Sequence, residues 1–358
     1  MRVLQIGSDR SKRGSIVPGT PAFARQVAYA RAFGHLDDIS FTLRDDGFPP
    51  QSDGTLSVYP TDSVNKFMYL FDAVRIAKKL QRPDAVSAQD PFEAGVVAWF
   101  IARRFRSPLY VQVHTDFLSP AYSRHSLLNR LRVLLAGFVL RRASGIRAVS
   151  EEIEEKIRIR YRLRAQAHTL PIYFDVSRFR DAPHDATLEA RFAAFSKKLL
   201  YVGRLEPEKN VALALYSFAS ATPSDACLIV LGEGSERSVL ENLAREKGIE
   251  SRVFFEGARD PAAYYKLTDL VLLTSRYEGY PAVVAEALAA GKPILSTDVA
   301  SARSMGAIIA TQEDFSEALS HWFRSGPRTG VLMSNPYQDF DQYVRAYRDD
   351  IAACIPRK

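Results

Sequence analysis

The chain has 358 residues, of which 47% are hydrophobic and 25% charged, with 19 glycines and 19 prolines. That length suggests two domains, and that composition excludes the disordered and fibrous classes. The net charge of +7 leaves a polyanionic partner, an anionic membrane, a phosphorylated substrate or no special partner; the only two cysteines, Cys227 and Cys354, exclude a disulfide framework and a cysteine zinc site.

The opening MRVLQIGSDR reads as a short strand, with no apolar stretch of signal-peptide length. No apolar run approaches the roughly 20 residues of a spanning helix. Residues 3–7 predict a strand, and 23–33 a helix that stops at Gly34. Strands follow at 39–43, 56–59, 85–87, 109–114 and 146–149, with a helix over 91–105. The second half predicts strands at 199–203, 227–231, 253–255, 270–274, 293–296 and 307–309. This alternation of strand and helix implies parallel sheets covered on both faces. One sheet of some dozen strands would be unusually wide, so the fold class is α/β with two doubly wound, Rossmann-like domains. The break is expected in the polar stretch 177–197, giving domains 1–185 and 186–335 and a terminal helix within 336–358.

Residues 274–293 read TSRYEGYPAVVAEALAAGKP. Glu278 ends a loop after a strand; Gly279, Tyr280 and Pro281 lead into a helix over 282–290, and Gly291 ends it. Gly279 and Tyr280 thus offer backbone N–H groups at a helix N-terminus, on the sheet edge where open α/β folds bind ligands. Glu286 lies eight positions after Glu278, on a helix whose other face is packed, and points into a cleft or into solvent. The segment LLYVGRLEPEKN is a strand, a Gly turn, then Arg204 and Lys209. A planar fork and a mobile point charge suit a diphosphate.

The strings GRLEPEKN, LIVLGEGSER, VFFEGARD and EGYPAVVAEALAAGKPILSTD, in that order, resemble the C-terminal domain of family-4 retaining glycosyltransferases of the GT-B fold. The Glu278-to-Glu286 spacing matches that family's E-x7-E motif. The resemblance implies two domains facing a cleft, with the terminal helix crossing back to the first. It implies that Arg204 and Lys209 bind the donor diphosphate, Glu278 the sugar hydroxyls and Glu286 the ribose. Glu256, Gly257 and Arg259 would line the base, and Gly279 and Tyr280 would donate N–H groups to sugar or phosphate.

The first half is similar to the family more loosely. The loop RSKRGSIVPGTP carries isolated Gly14 and Gly19 where the family has a Gly-Gly pair, and it is basic through Arg10, Lys12 and Arg13. Gly19 stands at the expected distance from the helix. His114 ends a strand at the place where related enzymes hold a His beside the donor sugar. Asp90 reads as a cap for the helix that follows. Asp175 stands without the family's Asn-Gly, and the region after Asp298 lacks its glycine-rich loop.

Leu127, Leu131, Leu134, Leu135 and Phe138 form a stripe at helical spacing, flanked by Arg124, Arg130, Arg132, Arg141 and Arg142. Two readings stand: a core-facing helix with a basic rim, or a face laid on an anionic membrane. Ser150, Glu151 and Glu152 predict a helix start, with Arg158, Arg160, Arg162 and Arg164 fanned around it. No nucleic-acid motif is present. The only Asp-x-Asp triplet, Asp339-Phe340-Asp341, suits a helix start, so no metal site and no cofactor are expected.

The function implied is a retaining, metal-independent hexosyltransferase of polysaccharide biosynthesis, moving a sugar from a nucleotide-diphosphate donor to a glycan or lipid-linked acceptor. Its expected place is the cytoplasm, or the inner face of the membrane on the second reading of the stripe. Two alternatives stay open. One is an epimerase or hydrolase on the same scaffold, with Asp90 and Asp116 as acid/base candidates; the other is a non-catalytic sugar-nucleotide-binding subunit.

Overall fold

Short apolar runs become strands and the amphipathic stretches between them become helices. The computed structural model describes residues 1–8 and 16–356. Met1–Ile172 with Asp339–Lys358 form one unit, and Tyr173–Gln338 a second.

The first unit holds β1 (Arg2–Gly7), β2 (His35–Ser40), β3 (Gln51–Asp53), β4 (Leu56–Pro60), β5 (Ala85–Ala88), β6 (Leu109–Val113), β7 (Gly145–Ala148) and β8 (Ala167–Thr169). Their order in the sheet is β3-β4-β2-β1-β5-β6-β7-β8, and only the β3/β4 pair is antiparallel. The order reverses at β1/β5, which makes the crevice beyond the ends of those two strands the place for a ligand. The helices are α1 (Pro21–Phe33), α2 (Tyr69–Ala77), α3 (Glu93–Phe105), α4 (Pro120–His125), α5 (Leu127–Leu140) and α6 (Glu151–Arg160). Helix α1 starts where Thr20 Oγ1 accepts from Phe23 N at 3.1 Å and ends at Gly34, whose φ of 97° suits glycine.

The second unit holds α7 (Val176–Arg180), α8 (Ala186–Arg191), α9 (Val211–Ala221), α10 (Arg237–Glu246), α11 (Ala262–Leu267), α12 (Ala282–Ala289), α13 (Ala302–Met305) and α14 (Phe315–Ser325). Its strands are β9 (Lys197–Val202), β10 (Ala226–Leu231), β11 (Val253–Gly257), β12 (Leu270–Leu273), β13 (Ile294–Thr297) and β14 (Ile308–Ala310). They pair in parallel in the order β11-β10-β9-β12-β13-β14, so this sheet reverses at β9/β12. Alternation along the strands feeds two cores. Leu199, Leu228, Val230 and Leu272 enter one with Phe218 and Trp322; Leu200, Ile229, Val271 and Leu273 enter the other with Val284 and Tyr265.

Helix α15 (Phe340–Ala353) returns to the first unit. It is started by Asp339, whose Oδ1 accepts from Gln342 N at 2.7 Å, so that aspartate is a cap as the sequence suggests. Its buried Tyr343 and Tyr347 meet the Tyr29 ring at 6.1 and 5.2 Å. Buried Arg147 donates to Tyr343 Oη at 3.0 Å and to Gln112 Oε1 at 3.0 Å, while Gln112 donates to Tyr347 Oη at 2.8 Å.

Four expectations are revised. Strand β2 lies over His35–Ser40 rather than 39–43, because Asp37 and Asp38 are buried within it. Arg2 pairs with Asp37 at 2.6 Å and Gln5 donates to Asp38 at 3.3 Å, so a strand can bury two aspartates. Residues 173–185 pack with the second unit: Asp175 caps α7 and Phe179 meets the Tyr265 ring at 5.7 Å. Helix α6 ends at Arg160, which leaves Arg162 and Arg164 beyond it. In α5 none of the five stripe residues is buried: Leu127 and Leu134 are 79% and 72% exposed, Leu131 is exposed, and Leu135 and Phe138 are half-buried, while Ala136, Gly137, Val139 and Leu140 enter the core instead. Among the described residues no helix is long and apolar enough to cross a membrane.

Candidate active site

The C-terminal edge of the second sheet is built by loops laced to one another. Gly203 N donates to Leu231 O at 2.9 Å, Leu205 N to Glu233 O at 2.9 Å and Gly232 N to Gly257 O at 2.8 Å. A Cβ on Gly232 would fall 1.8 Å from Gly203 O, and one on Gly234 would fall 2.3 Å from Leu205 O. Both positions therefore require glycine. In the sequence this Gly-Glu-Gly turn stands only as part of the string LIVLGEGSER; its signal is the glycine pair directly after a strand.

Lys209 stands in the 3-10 turn Pro207–Lys209 after β9, and Glu278 in the loop after β12. They meet across the reversal point, Lys209 Nζ to Glu278 Oε1 at 2.6 Å, with both side chains largely buried. Ser275 Oγ also donates to Glu278 Oε1 at 2.6 Å. Arg276 N donates to Glu208 O at 2.8 Å and Thr274 Oγ1 to Lys209 O at 3.2 Å, which ties the two loops together. Arg204 lies in the same loop as Lys209 but is exposed, pairing with Glu208 at 2.8 Å. Burial pushes the Tyr201 phenol up, with Glu278 and Glu208 adding to the effect and Arg204 opposing it, so these charges share one locality.

Helix α12 follows Pro281 with no side-chain cap; Ala282 N donates to Tyr280 O and Val284 N to Pro281 O, both at 2.9 Å, and the first turn has no side-chain acceptor. Gly279 is buried beside it, and Tyr280 is half-buried with its hydroxyl unpartnered among the described residues. Glu286 does not join Glu278. Its Oε2 accepts from the buried Tyr265 hydroxyl at 2.8 Å, and burial raises its carboxyl. Gly257 ends β11 with a φ of 73°, and Arg259 Nε donates to Glu256 O at 3.3 Å. The Glu256 side chain is already held by Arg191 through bonds of 2.7 and 2.6 Å. Among the described residues no cluster of three or more His, Cys, Asp and Glu could hold a metal ion.

The other two candidates lie in the first unit. Gly19 has a φ of 81° just before the α1 cap, and an added Cβ would meet nothing within 4 Å, so glycine is needed there for its backbone alone. Gly14, Arg10, Lys12 and Arg13 lie outside the described residues. His114 follows β6, its Nε2 buried and unpartnered among the described residues. Two positions on, Asp116 pairs with Lys156 at 2.5 Å, which removes a free acid/base carboxylate.

Residues 20–172 match the model of the glycosyl transferase 4-like domain, and residues 190–313 that of glycosyl transferases group 1. The chain belongs to the family-4-like glycosyltransferases of the GT-B fold. The chain is 25% identical over 268 residues to alpha-monoglucosyldiacylglycerol synthase of Streptococcus pneumoniae, covering 69% of its own length and 60% of that relative's. It is 35% identical over 106 residues to lipopolysaccharide 1,6-galactosyltransferase of Salmonella typhimurium, covering 28% and 29% of the two chains. Among solved structures it resembles Anabaena HepE in complex with UDP and glucose, with a TM-score of 0.71, 20% identity, and 99% and 97% of the two chains covered. Sucrose-phosphate synthase from Thermosynechococcus elongatus gives a TM-score of 0.74 at 16% identity over 99% and 95%. These likenesses bear on the fold.

His114 should make the native state acid-sensitive. Burial, and then the Arg147 charge, pushes its imidazole down to about 3 from 6.5. The native state therefore favours the neutral ring. That contribution is full above pH 6.5 and is lost as the pH falls toward 3. The urea-unfolding free energy of the native chain should fall more steeply through that window than that of His114→Gln, by up to about 1.4 kcal/mol per pH unit. Equal slopes would contradict a buried neutral imidazole.

Proposed function

We propose that the chain transfers a hexosyl group from a UDP-sugar to a hydroxyl of a glycan or lipid-linked acceptor, with retention at the anomeric carbon and without a metal. The observation that carries this is the Lys209–Glu278 pair, spanning the reversal point of the second sheet beside the uncapped start of α12. Lys209, Arg204 and the α12 N–H groups take the charge of the diphosphate as its bond to the anomeric carbon breaks. The acceptor oxygen bonds to that carbon on the same face, and its proton leaves with the diphosphate. Glu278, released from Lys209, accepts from sugar hydroxyls. Glu286 accepts from the ribose, its carboxylate kept in place by Tyr265. Gly257 and Arg259 flank the base, and Gly279 and Tyr280 give N–H groups. The complexes of Anabaena HepE with UDP and with UDP-glucose support the choice of base and sugar class. The exposed α5 stripe with its arginines supports attachment to the anionic cytoplasmic face of a membrane.

Calorimetry with UDP-glucose and UDP, in excess chelator, tests the donor assignment. Glu278→Gln should weaken UDP-glucose at least about tenfold, the loss of charged hydrogen bonds. UDP should bind as well or better, because Lys209 is freed for phosphate. Equal losses for both ligands would contradict the sugar contact, and binding that vanishes in chelator would contradict metal independence.

A further inference from the structure

Helices α2 and α3 leave a cavity of about 450 Å³ between them. Phe71 and Val74 of α2 and Phe100 and Ile101 of α3 supply apolar walls, and Arg75, Lys78 and Arg104 supply charge. Among the described residues no acidic side chain lines it. The α3 lining comes from the second half of that helix, and both helices lead back to the starts of strands, α2 to β5 and α3 to β6. The cavity therefore lies toward the sheet edge where those strands begin, away from the crevice at the β1/β5 reversal.

Two aromatic rings stand open here, Phe71 at 65% and Phe100 at 44% exposure. Spacing sets apolar wall and cation on one face of each helix: Phe71, Val74 and Lys78 fall at i, i+3 and i+7, and Phe100 and Arg104 at i and i+4. Arg75 is paired with Asp72 at 2.8 Å. Lys78 and Arg104 are exposed and have no hydrogen-bond or acidic partner among the described residues. Cations at the end of a helix answer its dipole, which accounts for their sign but not for the open apolar walls beside them. Each helix C-terminus carries about half a negative charge, and two full cations outweigh the pair.

We propose that this cavity binds a single-chain amphipathic anion, an aliphatic chain ended by a carboxylate or a phosphate, with the chain against Phe71, Val74, Phe100 and Ile101 and the anionic head between Lys78 and Arg104. Volume, wall and charge select this class together. A cavity of this size suits a small molecule. Its walls reward apolar area, and cations without an acid in the lining favour a negative head over a neutral or positive one. The site stands apart from the transferase reading: none of its residues belongs to the donor site, and the ligand takes no part in the transfer.

Calorimetry on the full chain tests this with decanoate, hexanoate and decanol, the fatty acids below their micellar concentrations. Decanoate should bind at least about tenfold more tightly than hexanoate, because each buried methylene adds to affinity. It should bind at least about fivefold more tightly than decanol, an advantage that salt erodes. Lys78→Glu with Arg104→Glu should remove the advantage over decanol and leave decanol itself unchanged. Val74→Trp, at a half-buried position, should fill the cavity and weaken decanoate and decanol alike, by about tenfold or more, without lowering the melting temperature. The proposal is overturned if decanoate and hexanoate bind alike, if the charge reversal leaves the decanoate-to-decanol ratio unchanged, or if none of the three binds at millimolar concentration. Two other occupants would show themselves in the absence of decanoate binding, and either overturns it. A dimer in solution that Val74→Trp disperses would give the face to a second copy of the chain, and anionic vesicles that Val74→Trp releases would give it to a bilayer.

Discussion

Lys209→Ala should lower turnover about 10²–10³-fold, and Arg204→Ala at least about a hundredfold, with the fold intact in both. The hard step is loss of the diphosphate, and a preorganised group that meets charge only as it develops supplies about 3–4 kcal/mol. Lys209 fits that description well, since its turn is bonded to the next loop on either side of the reversal point. A purely structural role has a different signature. Removing Lys209 leaves Glu278 largely buried without its cation, which destabilises the native state. Glu278→Gln in the same chain would relieve that stress and restore the melting temperature. It would not restore turnover if Lys209 meets the phosphate. Near-normal turnover in Lys209→Ala and Arg204→Ala, or full rescue of turnover by Glu278→Gln, would remove the site.

Vesicle binding should require anionic lipid and should fall about 30- to 1,000-fold in Arg124→Glu, Arg130→Glu. Each basic residue near an anionic surface is worth about 1 kcal/mol, so reversing two charges forfeits attraction and adds repulsion, roughly 2–4 kcal/mol in all. These two arginines are exposed; Arg130 lies on the α5 face that carries Leu127, Leu131 and Leu134, and Arg124 lies on α4, just before it in the chain. Arg132 is a poorer choice than the sequence suggests, because Glu93 already neutralises it at 2.9 Å. Salt should weaken binding over a Debye length of about 10 Å at 0.1 M. Leu127→Ser with Leu134→Ser should also reduce binding, through lost apolar area. Equal sedimentation with neutral vesicles, or none with anionic vesicles at low salt, would remove the membrane from the functional reading.

Much of the second unit was legible along the chain. The strand at Leu270–Leu273, the Pro-led helix to Ala289 and Gly291 beyond it depend on spacing and on local backbone preference, which neighbouring residues set. In the first unit the same reasoning misplaced β2, because two aspartates interrupt its apolar pattern. It passed over β3, whose residues are not buried, and β8, which has three residues. It also left open the direction of the α5 stripe. A helix with apolar residues on one side is patterned alike whether that side meets a core or an open surface.

By itself the sequence determined the α/β alternation, the glycine turns, the helix caps at Ser150 and Asp339, and the order of motifs that marks the family. The tertiary structure alone decided which strands are neighbours, and hence where each sheet reverses. It joined Lys209 to Glu278 across 69 residues and tied Glu286 to Tyr265 instead. It buried the Nε2 atom of His114, paired Arg2 with Asp37, and set Asp90 in the lining of a cavity. The physical reason is one of range. Periodicity, capping and turn preference act over a few residues, whereas burial, ion pairing and the shift of a carboxyl or imidazole depend on groups that only strand order brings together.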